Sequence, residues 1–346
     1  MGGVRTALIV AAAGLLGCGG SSPASSGQAG KSGSAGAGGS SGAAGSTGTA
    51  GTTGSTGAGG SGFVGSSGCG LFSGDDPWNA DVSGAVVDAA NTSLINTMLG
   101  AVNIHPDFGP GFGIPINVVP SNQPAVPVVF DQYPDESDPG PYPFPGVSVA
   151  RVEGTDDPTS CSDDCHLLAV QQGSCQLYEG YACQYDSDGW HCGNGAHWDL
   201  TKKSIGQRPV GWTSADAAGL SIYAGLARYE EVMAGEITHA LRYTLPCSAN
   251  SYVAPATHAA GHCPLAGKSG PPMGTRVRLK ASFDISGFAP IPQIFLKAFK
   301  KYGLILADSG GSSSTFFFQS EDSPDWPDAI NDLKNVPVSA FEAVQP

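Results

Sequence analysis

Basic side chains are scarce in this chain of 346 residues, where 16 Lys and Arg stand against 30 Asp and Glu and leave a net charge of −14. Proteins that bind nucleic acids present basic patches that neutralise phosphates, and the only cluster of cations here is the short run KAFKKYG. The charge therefore argues against nucleic acid and against anionic lipid headgroups as partners. An acidic surface suits a neutral or cationic substrate better.

The familiar signatures of catalysis are also missing, because the chain has no G-x-S-x-G, no H-E-x-x-H and no EF-hand loop. The run LAGKSG is similar to the end of a P-loop, but His262 stands where the first glycine is required. His258 and His262 lie four residues apart, a spacing that puts two metal ligands on one face of a helix. Nearby prolines and a glycine disfavour a helix there, so both histidines are interpreted as surface loop residues. We expect no metal and no cofactor.

Long hydrophobic segments are absent too. The one apolar run, Thr6 to Leu16, has 11 residues, which is too short to cross a bilayer and typical of the core of a signal peptide. The run is followed by Gly17 and Cys18, and Leu-Leu-Gly-Cys resembles the lipobox of bacterial lipoproteins. The resemblance implies cleavage before Cys18 and a lipid on its thiol, with an ordinary secretory signal as the alternative. Either interpretation predicts an exported protein, and the lipid predicts attachment to the cell envelope, at the outer membrane or cell surface.

Between the signal peptide (1–18) and the folded part lies a segment, residues 19–68, made almost wholly of Gly, Ser, Ala and Thr. It has no large apolar residue before Phe63 and cannot form a core. We interpret it as a disordered tether with a mean reach of roughly 40 Å. Residues 69–346 are then expected to form one β-rich globular domain with a proline-rich N-terminal section.

Nine cysteines are present, and assigning Cys18 to the lipid leaves eight. An even number in an exported chain predicts disulfide bonds, although eight cysteines allow 105 pairings. Short closures favour three of them: Cys161–Cys165, Cys247–Cys263 and Cys183–Cys192. A metal site formed by cysteines with His166, His191 or His197 is the alternative, which the lack of paired C-x-x-C spacing disfavours.

The folded part shows many short strand-like runs and few helices. HLLAVQQ and SCQLYEGYACQYD read as a hairpin, and GEITHALRYTL and TRVRLKASFDIS alternate between apolar and polar residues. Helices are expected after Ser83 and from Pro292 to Tyr302. The proline-rich section from Phe72 to Arg151 predicts extended chain and edge strands. These features predict a mostly β fold: an antiparallel β-sandwich, jelly roll or barrel with one or two appended helices.

Carboxylates in aromatic surroundings are the candidate catalytic groups. Glu179 lies in the middle of a strand, Asp216 follows Ser214, and Asp308 ends the buried run LILAD. Two such groups facing each other across a groove would serve as the acid and base of a glycosidase. Each also has a structural explanation: an arginine partner for Glu179, a helix start for Asp216 and a strand-end turn for Asp308. Asp284, at the end of KASFD, is a further candidate, with a strand-end turn as its structural explanation.

Aromatic and basic residues supply the candidate substrate contacts. Tryptophans are the usual platforms for sugar rings, and the candidates are Trp190, Trp198, Trp212 and Trp326, with Tyr178 beside Glu179. If GEITHALRYTL is a strand, Arg242 lies on a polar face and His239 on an apolar one. Arg242 is then the better ligand contact, paired with Glu179 or Asp216, and His239 the weaker. If the segment is a helix, both point to one side.

A set of runs, among them WHCGNGAHWDL, RPVGWTSADAAGL and KKYGLILADSGG, resembles a group of exported proteins of the actinobacterial and myxobacterial type. The resemblance covers about Pro141 to Val344 and implies a single exported unit, without an activity to carry over.

The sequence as a whole predicts a secreted, lipid-anchored glycoside hydrolase that uses paired carboxylates. The alternatives are a carbohydrate- or partner-binding module with the same aromatic residues and a structural envelope protein. The expected partner is a polysaccharide or other glycan, with the membrane contacted only through the lipid and the chain a monomer.

Overall fold

The computed structural model describes residues 65–155, 157–162, 164–265, 267–310 and 315–345, which all fall within one compact unit. The predicted signal peptide, Cys18 and most of the predicted tether lie outside the described residues. The described residues form the following strands: β1 Ile104–Asp107, β2 Ile116–Val119, β3 Val128–Phe130, β4 Leu167–Gln171, β5 Gln176–Tyr181, β6 Gln184–Asp186, β7 Gly189–Cys192, β8 Asn194–Asp199, β9 Leu241–Leu245, β10 Arg276–Leu279, β11 Leu304–Ser309, β12 Phe316–Gln319 and β13 Phe341–Val344.

Helices are short, and they lie before β1 and between later strands. The α-helices are α1 Ala89–Leu99, α2 Ile222–Gly225, α3 Tyr229–Ala234 and α4 Pro290–Lys301, and single 3₁₀ segments cover Pro77–Asn79, Pro134–Glu136, Asp328–Asn335 and Val338–Ala340. Helix α1 is capped by Asp88, whose carboxylate accepts from two backbone N–H groups, so it begins later than the expected start near Ser83. Helix α4 starts at a proline and ends in two lysines, close to the range expected from the sequence.

The strands pair into three sheets, in the orders β1-β12-β9-β11-β10-β13, β2-β4-β5-β8 and β3-β7-β6. The number of strands confirms that the fold is β-rich, as expected. The expectation of antiparallel pairing throughout is wrong, because β1 with β12, β9 with β11, β2 with β4 and β3 with β7 are parallel. The long connections between these partners allow parallel pairing, which a two-residue hairpin cannot provide.

The proline-rich section behaves as the sequence indicates. It supplies β1, β2 and β3, and each of these is the edge strand of its sheet. Edge strands tolerate proline because one row of backbone groups has no partner strand. Pro106 lies inside β1 in this way.

Two apolar cores lie on either side of the four-stranded sheet. Leu168 and Val170 of β4 belong to the main core, which also fills the space under the six-stranded sheet and α4. Leu167 and Ala169, which alternate with them, belong to a second core with Tyr142 and the three-stranded sheet. Strand β4 is therefore buried on both faces, which explains why its first four residues are all apolar.

Four disulfides join the eight cysteines after Cys18. The three short closures expected from the sequence, Cys161–Cys165, Cys183–Cys192 and Cys247–Cys263, are confirmed. The fourth, Cys69–Cys175, joins the start of the folded part to the turn before β5, 106 residues away. These cross-links are consistent with an exported protein. Among the described residues, no helix has the length and apolar character needed to cross a membrane.

Candidate functional site

A cavity of about 490 Å³ opens where the six-stranded sheet meets the start of β4 and the end of β5. This volume is in the range of small-molecule sites. Its walls include the side chains of Tyr133, Asp164, His166, Tyr181, His258 and Asp308. Asp308 is therefore the one predicted catalytic carboxylate that lines it.

The parallel pairing of β9 and β11 places Asp308 in the cavity. Carboxyl ends of parallel strands meet at one sheet edge, and ligands bind at such edges in many open sheets. A register shift between Leu306 and Asp308 interrupts the β9–β11 ladder. Such irregularities re-aim a side chain near functional sites. Asp308 and Ser309 then both line the cavity, with Thr244 of β9 beside them.

The environment of Asp308 favours its protonated form. Burial raises its pKa to about 7, and the neighbouring Asp216 carboxylate adds to this, while Arg242 opposes it. The side chain still has 26% of its surface exposed, because it lies in a recess that solvent reaches. A carboxyl group that holds a proton near neutral pH and meets solvent can act as a general acid.

Arg242 contacts the carboxyl groups of both Asp216 and Asp308. Its Nε and Nη2 donate to the two oxygens of Asp216 at 2.8 and 2.7 Å, a two-pronged ion pair that is fully buried. The same Nη2 lies 3.8 Å from Asp308 Oδ2. Arg242 and Asp216 thus form the buried floor behind Asp308, and neither is among the described residues that line the cavity. The sequence offered Asp216 as one of two partners for Arg242, and the structure shows that pairing.

The chain of contacts continues from Arg242 to the opposite wall. Arg242 Nη1 donates to Gln319 Oε1, and Gln319 Nε2 donates to Glu153 Oε1 at 3.3 Å. Glu153 Oε2 bonds His166 Nδ1, and His166 Nε2 lies 3.0 Å from the carbonyl of Ala215.

His166 is held as a cation by these contacts. Burial alone would lower its pKa, but the Glu153 carboxylate raises the pKa of His166 to about 9. Both ring nitrogens then donate, which matches a carboxylate on one side and a carbonyl on the other. The sequence considered His166 only as a metal ligand, and nothing in its spacing pointed to Glu153.

Asp164 is the second carboxylate of the cavity. It lies two residues before His166, and its charge raises the pKa of both His166 and Asp308. Sequence reasoning missed it. The available signal was a charged residue next to a cysteine and three residues before the buried run that begins β4.

Glu179 lies elsewhere, inside the main core. Its carboxylate accepts from Trp198 Nε1 at 2.8 Å, Ser221 Oγ at 3.0 Å and the Tyr223 backbone N–H at 2.8 Å. Burial raises its pKa to about 7, against these three donors. The arginine partner considered from the sequence is not found among the described residues, and Glu179 is fully buried outside the cavity wall.

His239 belongs to a second buried cluster. Gly235 adopts a positive φ of 101° and ends α3. The strand expected over Gly235 to Leu245 begins only at Leu241. His239 Nε2 bonds the Glu231 carboxylate, and Arg228 pairs with the same carboxylate at 2.8 Å. His239 is therefore a core residue in contact with charged partners, away from the cavity.

The remaining predicted substrate contacts pack against other side chains of the protein and do not line the cavity. Trp198 is buried against Glu179. Tyr178 stacks on His197 with ring centroids 4.5 Å apart, and Trp212 packs against the guanidinium of Arg208 at 5.4 Å. Tyr133, 44% exposed, and Tyr181 are the aromatic residues that line the cavity, together with Phe317.

No group of three or more His, Cys, Asp or Glu side chains that could hold a metal ion occurs in the described part of the chain. The cavity instead combines a carboxyl group of raised pKa, Asp308, and a second carboxyl group, Asp164, with tyrosines and histidines. This set can transfer a proton to a leaving oxygen and offer acceptors to hydroxyl groups.

Comparisons with known proteins do not assign the chain to a family, because no family model, no curated protein and no solved structure matches it. The resemblance to exported actinobacterial and myxobacterial proteins therefore stays a prediction.

Proposed function

We propose that the protein is a glycan-active hydrolase and that the cavity around Asp308 is its catalytic cleft. The observation that carries the proposal is Asp308 itself, a carboxyl group with a pKa of about 7 that faces solvent in a cavity shared with a second carboxylate, Asp164. A proton donor and a carboxylate beside a sugar-sized space are the elements of glycoside hydrolysis.

Asp308 is the general acid in this scheme. It gives its proton to the glycosidic oxygen as the bond from that oxygen to the anomeric carbon breaks. Asp164 is the second group: it either takes a proton from the water that attacks the anomeric carbon or attacks that carbon itself. Its negative charge stabilises the positive charge that develops on the sugar ring. Arg242 and Asp216 position Asp308 from behind.

The aromatic residues support a sugar as the substrate. Tyr133, Tyr181 and Phe317 present ring surfaces at the cavity, and His258 adds a polar ring. The tryptophans expected to stack on sugars lie elsewhere, so these side chains take that place. Tyr133, the most exposed of the three tyrosine and phenylalanine rings, is the platform at the entrance.

The test is a hydrolysis screen of the purified protein on a panel of polysaccharides, with reducing ends measured. Asp308→Asn and Asp164→Asn should each lower the rate by about 10²–10⁴-fold while the protein stays folded. Asp284→Asn is the matched control, because Asp284 is an exposed turn residue whose carboxylate accepts from the backbone N–H of Ser286. Sugar release that survives Asp308→Asn contradicts the proposal, and binding without any release favours a carbohydrate-binding module.

We further propose that the chain is exported, carries a lipid on Cys18 and contacts the cell envelope only through that lipid, as a monomer. The four disulfides support export. Growth with a labelled fatty acid should label the parent and leave Cys18→Ser unlabelled. Equal labelling of both would contradict lipidation at this cysteine.

A further inference from the structure

His258 belongs to the wall of the cavity, although its sequence context suggested an ordinary surface loop. It lies in the loop that follows β9 and is closed by the Cys247–Cys263 disulfide. The same loop carries His262, which is exposed and not among the described lining residues. The two histidines thus differ in access to the cavity while sharing one loop.

The backbone around His258 is held against the segment that carries Asp216. The N–H groups of Thr257 and His258 both donate to the carbonyl of Ala218, at 3.0 and 3.2 Å. Thr257 Oγ1 donates to the carbonyl of Trp212 at 2.9 Å. A loop tied by backbone and side-chain bonds holds its side chains in defined positions, as a binding site requires.

The ring of His258 is also oriented. Its Nδ1 lies 2.7 Å from the carbonyl oxygen of Ala217, and a carbonyl can only accept, so Nδ1 carries the hydrogen. In the neutral imidazole the other nitrogen, Nε2, is then an acceptor. The contact with Ala217 therefore fixes which nitrogen is offered at the far end of the ring.

The charges of the cavity restrict what this acceptor can meet. The described lining residues include Asp164 and Asp308 and no lysine or arginine. The nearby cations are already matched, His166 by Glu153 and Arg242 by Asp216. A carboxylated or sulfated sugar would meet like charge without a free cation, whereas the hydroxyl groups of a neutral sugar would meet acceptors.

We infer that His258 is a substrate-contacting residue whose Nε2 accepts a hydrogen bond from a sugar hydroxyl, and that the cleft selects uncharged glycans. The inference rests on the proposed function for its ligand class, a glycan, and does not require hydrolysis. Removing one such bond should weaken binding by about three- to tenfold.

The experiment is titration calorimetry on the full chain with Asp308→Asn, which blocks turnover. The probes are β-1,4-linked hexasaccharides of glucose, xylose and N-acetylglucosamine, with hexagalacturonate as the anionic probe. His258→Ala should bind the best neutral probe about three- to tenfold more weakly. His258→Gln, which keeps an acceptor, should recover most of the affinity and shows that the loop is folded. His262→Ala is the matched control and should bind like the parent.

Equal affinities of the His258→Ala and His262→Ala chains would overturn the inference. Binding of hexagalacturonate as tight as that of the neutral probes, or no binding of any neutral probe, would overturn it as well. Binding that depends on His258 in a chain whose Asp308-containing parent releases no sugar would support the inference and contradict the hydrolase. The two proposals therefore fail in different ways.

Discussion

Glu179 and Asp308 are two carboxyl groups of one molecule whose pKa is raised to about 7 by burial, yet their surroundings differ. Glu179 points from β5 into the main core, where three donors bond its two oxygens. Asp308 stands near the end of β11 in a cavity, keeps 26% of its side chain exposed and lies 3.8 Å from Arg242. In both cases burial raises the pKa. What distinguishes the candidate catalytic group from the structural one is therefore its access to solvent and substrate.

The hydrogen-bond donors around Glu179 and Asp308 also differ. Glu179 joins β5 to β8 through Trp198 and to the start of α2 through Ser221 and Tyr223. A buried carboxyl with matched donors ties separate elements together. Asp308 accepts from the backbone N–H of its own neighbour, Ser309, has Arg242 behind it and lines the cavity in front. The contrast predicts that the two groups respond alike to pH and differently to substrate.

Replacing each carboxyl group by an amide in turn should give the largest difference between Asp308 and Glu179. Asp308→Asn should lower the hydrolysis rate by about 10²–10⁴-fold while the protein stays folded. Glu179→Gln should keep the rate per folded molecule and lower the free energy of unfolding by about 1–3 kcal/mol, because an amide cannot accept from all three donors. Rates and urea unfolding of both variants check this, and a Glu179→Gln chain that is folded and inactive would reverse the assignment.

Removing the cation behind Asp308 tests whether its position depends on the buried ion pair. Arg242→Met leaves Asp216 buried without its partner and should lower the free energy of unfolding by about 3–5 kcal/mol. Arg151→Met is the matched control, since Arg151 pairs with Asp322 at the surface with 53% of its side chain exposed. That pair should contribute at most about 1 kcal/mol. Similar losses in urea unfolding of the two variants would contradict the buried role of Arg242.

The pH dependence of stability should show what the two carboxyls share. The pKa of Glu179 rises from 4.5 to about 7 on folding. In that window the unfolded chain releases a proton that the folded chain keeps. The free energy of unfolding therefore falls as pH rises from about 4.5 to 7, by about 3 kcal/mol for this group.

Asp308 acts in the same direction, from its ordinary 3.8 to about 7. Urea unfolding at pH 4.5 and 7.5 should therefore give a smaller loss of stability over this range in Glu179→Gln and in Asp308→Asn than in the parent. Asp284→Asn should leave the loss unchanged, because Asp284 is exposed. Variants that lose as much stability as the parent would show that neither pKa is raised.

Much of the fold could be predicted from local patterns. The hairpin of β4 and β5, the helix α4 and the edge strands of the proline-rich section follow from alternation, capping residues and proline. Once three local disulfides are assigned, Cys69 and Cys175 have only each other as partners. Parallel pairing could not be predicted, because Leu241–Leu245 and Leu304–Ser309 meet only through a connection of many residues. The sandwich or jelly-roll arrangement stays a prediction.

The site was harder to predict than the fold. Asp308 could be singled out as a charge at the end of an apolar run, and Arg242 as a cation in an alternating segment. Asp164 and His166 come from the segment before β4 and His258 from the loop after β9, and only the tertiary structure brings them to the cavity that Asp308 lines. Glu179 drew attention because a charge in mid-strand is costly to bury, but sequence alone could not show the three donors that satisfy it.

Chemical labelling of carboxyl groups tests the contrast between an open Asp308 and an enclosed Glu179 most directly. The native protein would be treated at pH 6 with a water-soluble carbodiimide and an amine, and each site quantified by mass spectrometry before and after unfolding in urea. The account predicts that Asp308 is modified in the native protein, that Glu179 is modified only after unfolding, and that a bound neutral hexasaccharide protects Asp308. Modification of native Glu179 at the rate of Asp308, or protection of both until unfolding, would contradict it.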